Sequence, residues 1–294
     1  AEPRSDPVLK AAESERRTVL LEHEVYALLA GAGIPVPAHR CVSAADQVDA
    51  ALCTDLRSEE VVVKVISPQI LHKSDVGGVA VARNTPGSLR DAVASVMSAS
   101  RAKVPDADVR GALIASKIRF RPGLGREILG GFRHDRAFGP VLFVGVGGLD
   151  TEYLLRALRG DAAGAIRSAA GFDRDRALEI LRGTAVHAAL CGGLRSSRKG
   201  AISEENLARF VLSLAALAER MAGFEPPGGL GLSELEVNPF VVAEGTEHPV
   251  ALDGLARVHR PDPLPAPRPV ANLRRLLTPS SAVVIGASAE TMNP

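Results

Sequence analysis

Lys64, His72 and Lys73 stand close together in the stretch Val61-Val62-Val63-Lys64-Val65-Ile66-Ser67-Pro68-Gln69-Ile70-Leu71-His72-Lys73-Ser74-Asp75-Val76-Gly77-Gly78-Val79. They bring two cations and an imidazole to a flexible Gly-Gly loop. Phosphate needs fixed positive charge and close backbone approach, so these residues suit holding and moving a phosphoryl group. The stretch opens as a β-branched run, the pattern of a buried strand, and resumes as one at Val79-Ala80-Val81-Ala82. A lysine inside such a run is costly unless it meets a partner. The lysines of the chain are Lys10, Lys64, Lys73, Lys103, Lys117 and Lys199, and arginine serves elsewhere. Two of the few lysines thus fall here, and lysine is the compact, mobile point charge that suits a moving phosphate. The same residues would also suit a surface strand with scattered charges.

A second constellation lies far along the chain: Glu234-Leu235-Glu236-Val237-Asn238-Pro239-Phe240, then Ala251-Leu252-Asp253-Gly254. Alternate residues of a strand share a face, so Glu234, Glu236 and Asn238 point one way while Leu235 and Val237 pack the other. Oxygen-bearing side chains on a strand, joined by Asp253 from a neighbouring strand, suit Mg²⁺, which takes a few hard oxygens and keeps the rest for water and phosphate. A solvent-facing acidic strand and a turn aspartate are the plainer alternative.

Bulk properties exclude several classes. Aromatics make up 3% of the chain and Trp is absent, so stacking platforms for single-stranded nucleic acid are not expected. Net charge is +1 with no sustained basic stripe, which argues against nucleic-acid or anionic-membrane partners. Cys41, Cys53 and Cys191 are odd in number and far apart, so neither a disulfide framework nor a zinc site is expected. No apolar run could span a bilayer and the charged start shows no signal-peptide pattern, so the expectation is a soluble cytoplasmic protein.

The elements that must position these residues are mixed. Residues 1–17 read as a polar, frayed tail. A helix follows with Leu21, Val25, Leu28, Leu29 and Ala32 on one face, ended by Gly33 with Pro35 and Pro37 beyond. Ala44–Leu56 is predicted helical with Ser43 as N-cap, and Ser88–Arg101 also helical. Strands are predicted at Gly111–Phe120, from Glu127 and over Val141–Gly148. Thr151–Arg195 reads as mostly helical. Glu204–Met221 is an amphipathic helix with Leu207, Val211, Leu214 and Leu217 on its apolar face. Strands at Leu235–Val242 and Val250–Leu252 close the main body. A proline-rich linker over 261–278 and a short strand at Ala282–Ser288 end the chain. This order predicts mixed α/β layers.

Taken together, these motifs resemble a family. Lys64, the His72-Lys73-Ser74-Asp75 loop with Gly77-Gly78, Gly125-Arg126-Glu127-Ile128-Leu129-Gly130, Phe138-Gly139-Pro140, Gly145-Val146-Gly147-Gly148, and Glu236-Val237-Asn238-Pro239 with Asp253 occur in that order. The series is similar to the ATP-grasp domain of the nucleoside-diphosphate-forming acyl-CoA synthetases. That group includes ADP-forming acetyl-CoA synthetase and is related to the succinyl-CoA synthetase beta subunit. Glu22-His23-Glu24-Val25 and Gly33-Ile34-Pro35-Val36-Pro37 resemble the family's opening helix and turn, and the resemblance runs from Leu20 to Val258.

The resemblance implies an ATP-grasp fold of two subdomains over residues 18–260, with residues 38–115 as the smaller one and the nucleotide cleft between them. It implies ATP or ADP with Mg²⁺ as cofactors. Lys64 and Lys73 would meet phosphates, and the Leu113–Ile118 segment, including Ser116, Lys117 and Ile118, would read adenine. Glu127 would line the cleft. Asn238 and Asp253 would hold Mg²⁺, with Glu236 near the phosphoryl acceptor. His72 would carry a phosphoryl group between a distant histidine and ADP, as part of an acid–CoA ligase. Residues 279–294 would begin a truncated Rossmann-like CoA-binding domain. The remaining CoA-binding and acid-activating domains would lie on the same parent chain or a partner subunit, in an oligomeric complete enzyme. Leu154–Gly171 departs from the family pattern: it is Ala-, Gly- and Arg-rich where the family has a basic, apolar strand and a proline. A nucleotide-sensing regulatory module, as in acetyltransferase fusions, is the rival reading. An ATP-grasp ligase of another class would have no need of His72.

Overall fold

The structure is a computed structural model that describes residues 6–195, 199–260, 270–281 and 283. Two units divide the chain, residues 1–262 and 263–294. Within the first, the described strands form two antiparallel sheets.

The smaller sheet has the order β1-β4-β2-β3, from β1 (His39–Val42), β2 (Glu60–Ile66), β3 (Val79–Arg83) and β4 (Gly111–Ser116). Helices α3 (Ala50–Leu56) and α4 (Pro86–Lys103) complete this subdomain. Leu89, Val93 and Val96 of α4 share a core with Val61 and Val63 of β2 and Ile114 of β4. Strand alternation then turns Lys64 and Ile66 to the opposite face, away from that core. Helix α3 starts later than predicted. Asp49, not Ser43, caps it, accepting from Leu52 N at 2.8 Å, and Ala45–Gln47 is a separate 3-10 turn. Side-chain acceptors divide the stretch, since Gln47 Oε1 takes Ser43 N at 2.7 Å.

The larger sheet runs β10-β8-β5-β6-β7 with β9 beside β8. Its strands are β5 (Glu127–Asp135), β6 (Gly139–Val146), β7 (Gly164–Ser168), β8 (Gly231–Val242), β9 (Pro249–Ala251) and β10 (Leu255–His259). Helices α5 (Thr151–Ala157), α6 (Arg174–Arg182), α7 (Ala185–Leu190) and α8 (Glu204–Ala222) surround it. Leu207, Val211, Leu214 and Leu217 of α8 are buried in one core with Ile128, Leu142, Val237 and Phe240 of the sheet. Three strands lie outside the sequence-based expectation: β1 in the smaller sheet and, in this one, β7 and β10. β7 interrupts the stretch read as helical: Gly-Ala-Ile-Arg-Ser has little strand propensity, but the β6 edge offers it a ladder from Val141↔Ser168 to Gly145↔Gly164. β10 pairs with β8, carrying Leu255 to Glu236.

Residues 6–17 are structured, in contrast to the frayed tail expected there. Helix α1 (Pro7–Ser14) is capped by Asp6, which accepts from Val8 N at 3.0 Å, and Leu9 and Ala12 are buried. Beyond it, the chain joins the large sheet: Leu20 N donates to Ala256 O at 2.9 Å and Val258 N to Thr18 O at 2.8 Å. That pairing launches α2 (Glu22–Gly31) from beside the β9–β10 turn. Gly33, in the left-handed region at φ +75°, follows its end.

The second unit contains α9 (Val270–Leu277), so a helix occupies part of the stretch read as linker. Pro261–Pro269, and all of the expected Ala282–Ser288 strand except Val283, lie outside the described residues.

Candidate active site

Four distant residues meet where the two subdomains face each other. Lys64, from β2, has its ammonium 2.6 Å from Glu22 Oε1 and 2.6 Å from Leu252 O. Lys73, from the 3-10 turn Lys73–Val76, lies 3.0 Å from Glu22 Oε2 and 3.3 Å from Asp253 Oδ1. Lys64 Nζ is 3.9 Å from the same Asp253 oxygen. Tyr26, one turn along α2, donates its hydroxyl to Glu22 Oε1 at 2.7 Å. Lys64 is only 8% exposed, so the lysine that interrupts the apolar strand does find its partner.

Glu22 is the group sequence reasoning missed. Acidic residues favour the first turn of any helix, so Glu22 and Glu24 look alike there. Glu24 takes the ordinary role, accepting from Leu21 N at 2.6 Å and pairing with Arg17. Glu22 is buried instead. The available signal was Lys64 itself, because a cation inside a buried strand requires a carboxylate from elsewhere. Burial alone would push the Glu22 carboxyl up, but Lys64 and Lys73, helped by hydrogen bonds from Lys64 and Tyr26, hold it well below the usual carboxylate range. Burial likewise works against the Lys73 ammonium, and Glu22 and Asp253 more than offset it, leaving its pKa raised.

A cavity of about 210 Å³ opens beside this cluster, lined among others by Glu22, His72, Lys73, Glu236, Asn238 and Asp253. It is smaller than the roughly 300–1,000 Å³ usual for ligand pockets. His72 is exposed, and its ring makes no hydrogen bond among the described residues. Glu236 has no ion pair there either, whereas its neighbour Glu234 is held by Arg257 at 2.7 Å and Arg133 at 3.4 Å. Desolvation by the cleft walls raises the Glu236 pKa, and Glu234 adds to this, while Arg133 and His72 act the other way. His72 is thus close enough to Glu236 to be felt electrostatically.

The loop that carries His72 and Lys73 is less free than its glycines suggest. A Cβ on Gly78 would lie 2.6 Å from Val65 Cγ1 and 2.9 Å from Lys73 O, so glycine is required there by close packing. Gly148 plays a similar part across the cleft. At φ +97°, a Cβ would sit 2.7 Å from the Glu127 carboxylate. The Gly148 amide donates to Asn238 Oδ1 at 2.8 Å, which ties the β6 loop to the acidic strand. Glu127 has a raised pKa from desolvation and from Asp150 nearby.

Ser116, Lys117 and Ile118 do not line this cavity. Ser116 faces Val61 across the β2–β4 ladder, three residues before Lys64, or roughly 10 Å along the strand. Its hydroxyl donates to Leu56 O, and Lys117 pairs with Glu60 at 2.9 Å. Among the described residues Ile118 makes no backbone hydrogen bond, leaving its amide and carbonyl available near the crossing between the sheets. Two residues on, Phe120 bridges Ala243 in the larger one.

No group of three or more His, Cys, Asp or Glu suited to a metal occurs among the described residues. Asn238 and Asp253 nevertheless line one cavity with Glu236. Two or three hard oxygens beside two ammonium groups fit Mg²⁺, which takes a few protein oxygens and completes its shell with water.

Known proteins resemble this chain in sequence and fold. The ATP-grasp domain family matches residues 11–258. The beta subunit of acetate–CoA ligase (ADP-forming) I from Pyrococcus furiosus is 31% identical over 237 residues, 81% of this chain and 91% of that subunit. The 4-hydroxybutyrate–CoA ligase (ADP-forming) of Nitrosopumilus maritimus is 32% identical over 142 residues, 48% of this chain but 20% of that much longer protein. Among solved structures, acetyl-coenzyme A synthetase 1 of Ca. Korarchaeum cryptofilum, in complex with coenzyme A and Ca-AMPCP, superposes with a TM-score of 0.68 at 25% identity. The match covers 85% of this chain and 98% of the other. With the antiparallel sheets, the clustered lysines and the acidic strand facing them, these matches establish that the chain belongs to the ATP-grasp domain family, among relatives named as ADP-forming acid–CoA ligases.

Proposed function

We propose that this chain is the ATP-grasp component of an ADP-forming acid–CoA ligase, passing a phosphoryl group between ATP and His72. The observation that carries the reading is the single cavity that holds His72 beside Lys73 and opposite Glu236, Asn238 and Asp253. Lys64 and Lys73 would meet the phosphate oxygens, exchanging contacts they now make with Glu22 and Asp253. In the direction of ATP use, an imidazole nitrogen of His72 attacks the γ-phosphorus, the bond to the β-γ bridging oxygen breaks, and ADP leaves with the electron pair. The phosphorylated ring would pass the proton on its other nitrogen to the Glu236 carboxylate, which desolvation makes the more basic acceptor. Asn238 and Asp253 would hold Mg²⁺, which neutralises phosphate charge when bound. Ile118 and its neighbours would read adenine through the backbone. The CoA-binding and acid-activating steps belong to other domains or a partner subunit, in a complete enzyme that is an oligomer. The reaction is a cytoplasmic one in this reading.

Labelling tests the proposal. With γ-labelled ATP and Mg²⁺, and with the CoA-binding and acid-activating domains supplied, the chain should acquire an acid-labile, base-stable label that maps to His72 and is absent from His72→Ala. Label that persists in His72→Ala moves the acceptor elsewhere. ATP binding without any phosphohistidine in the complete enzyme would make the chain a nucleotide sensor instead.

A further inference from the structure

The charges clustered at one end of the cleft balance among the protein's own side chains. Glu22 and Asp253 supply two negative charges, Lys64 and Lys73 two positive ones. Lys73 spans both acids, at 3.0 Å from Glu22 Oε2 and 3.3 Å from Asp253 Oδ1. The same Asp253 oxygen accepts from Gly254 N at 2.8 Å. Asp253 therefore meets the cleft with one oxygen already engaged by an amide and two ammonium groups. Its side chain is 45% exposed while that of Lys73 is 13% exposed, so the cation sits beneath the carboxylate rather than in solvent. A bare divalent ion arriving at Asp253 would face that ammonium. Like charges a few ångströms apart in a partly buried site repel strongly, and the ion carries two. A nucleotide changes the balance, because its phosphate oxygens offer Lys73 a substitute for Asp253. Glu22 keeps Lys73 anchored on the other side, so only one of its two contacts must be exchanged.

We propose that Lys73 is a placeholder cation at Asp253, which makes divalent-metal binding by this chain conditional on a nucleotide phosphate. The inference rests on the nucleotide reading given above. It assigns Lys73 a positioning role beyond phosphate contact: the side chain withholds Asp253 from the metal until phosphate draws it away. Coupling of this kind is reciprocal, so the metal must raise nucleotide affinity by the same factor.

Mn²⁺ titration followed by electron paramagnetic resonance tests this on the full chain, with no turnover needed. Wild type should bind Mn²⁺ weakly alone and about tenfold or more tightly with a non-hydrolysable ATP analogue, within the roughly 5–150-fold span of such couplings. Lys73→Met should bind Mn²⁺ about tenfold more tightly than wild type without any nucleotide, and adding Asp253→Asn should erase the gain. Lys73→Gln keeps a hydrogen-bond donor for Glu22 and provides the same comparison if the methionine variant fails to fold. Folded Lys73 variants that bind free Mn²⁺ no better than wild type, while wild type still takes the Mn²⁺–analogue complex, would overturn the placeholder role alone. A wild type that binds no analogue at all would overturn the nucleotide reading and this inference with it.

Discussion

Glu22 shows how one side chain can decide the character of a site. A fully buried carboxylate is tolerable only with strong partners, and here two lysines and a tyrosine supply them. Its pKa falls from an ordinary 4.5 to about 2. A depressed carboxyl pKa contributes stability above the unfolded value that is lost as pH falls through the folded one. The melting-temperature gap between wild type and Glu22→Gln should therefore be full above pH 4.5 and close as pH falls toward about 2. A gap that is constant across that range would show that Glu22 does not carry the charge. Lys64 works at the same scale. Replacing it with alanine should weaken nucleotide binding by roughly 1.5–3 kcal/mol, the usual worth of a hydrogen bond to a charged group. Calorimetry giving equal affinities would take Lys64 out of the site.

Among the elements, the β2–β3 connection carries most of the chemistry. β2 delivers Lys64 by alternation, with Val61 and Val63 in the small core and Lys64 turned to the cleft. The turn after it presents His72 and Lys73, and Gly78 lets the chain pass against Val65. Gly78→Ala would press a methyl group into Val65 and the Lys73 carbonyl, an overpacking cost of roughly 1–3 kcal/mol. Chemical denaturation should show that loss together with weaker nucleotide binding, because the Lys73 backbone has to move. A variant as stable as wild type would mean that the turn has room the glycine does not need. Strand β8 is the opposite wall. One face buries Leu235 and Val237 under α8, and the other offers Glu236 and Asn238.

For the whole first unit, the candidate site depends on groups supplied by both sheets. Glu22 comes from a helix launched by the large sheet's last strand, Lys64 and Lys73 from the small sheet, and Asp253 from the β9–β10 turn. Ion pairs among them bring the contributions of both sheets to one end of the cleft. Asn238→Ala combined with Asp253→Ala should abolish the Mg²⁺ dependence of nucleotide binding while leaving the circular dichroism spectrum unchanged. A double variant that follows the wild-type magnesium titration would reduce the acidic strand to a polar surface. No helix among the described residues is long and apolar enough to cross a membrane.

Much of this was legible from residue order alone. Strand and helix periods located β2, β8 and α8, because their apolar faces repeat at 2.0 or 3.6 residues and burial follows the repeat. Lys64 in a valine run and the Glu-x-Glu-x-Asn strand announced a charged cleft for the same reason. Tertiary structure decided what periodicity cannot express. β7 exists because the β6 edge was free to pair, and α1 is ordered because Leu9 and Ala12 have a core to enter. It also singled out Glu22 from Glu24: both suit a helix N-terminus, and only the approach of β2 and the His72 loop makes one of them a buried counter-ion. Local sequence sets which groups can ionise and which faces are apolar, but the charge a site carries depends on which distant groups the fold brings within about 3 Å.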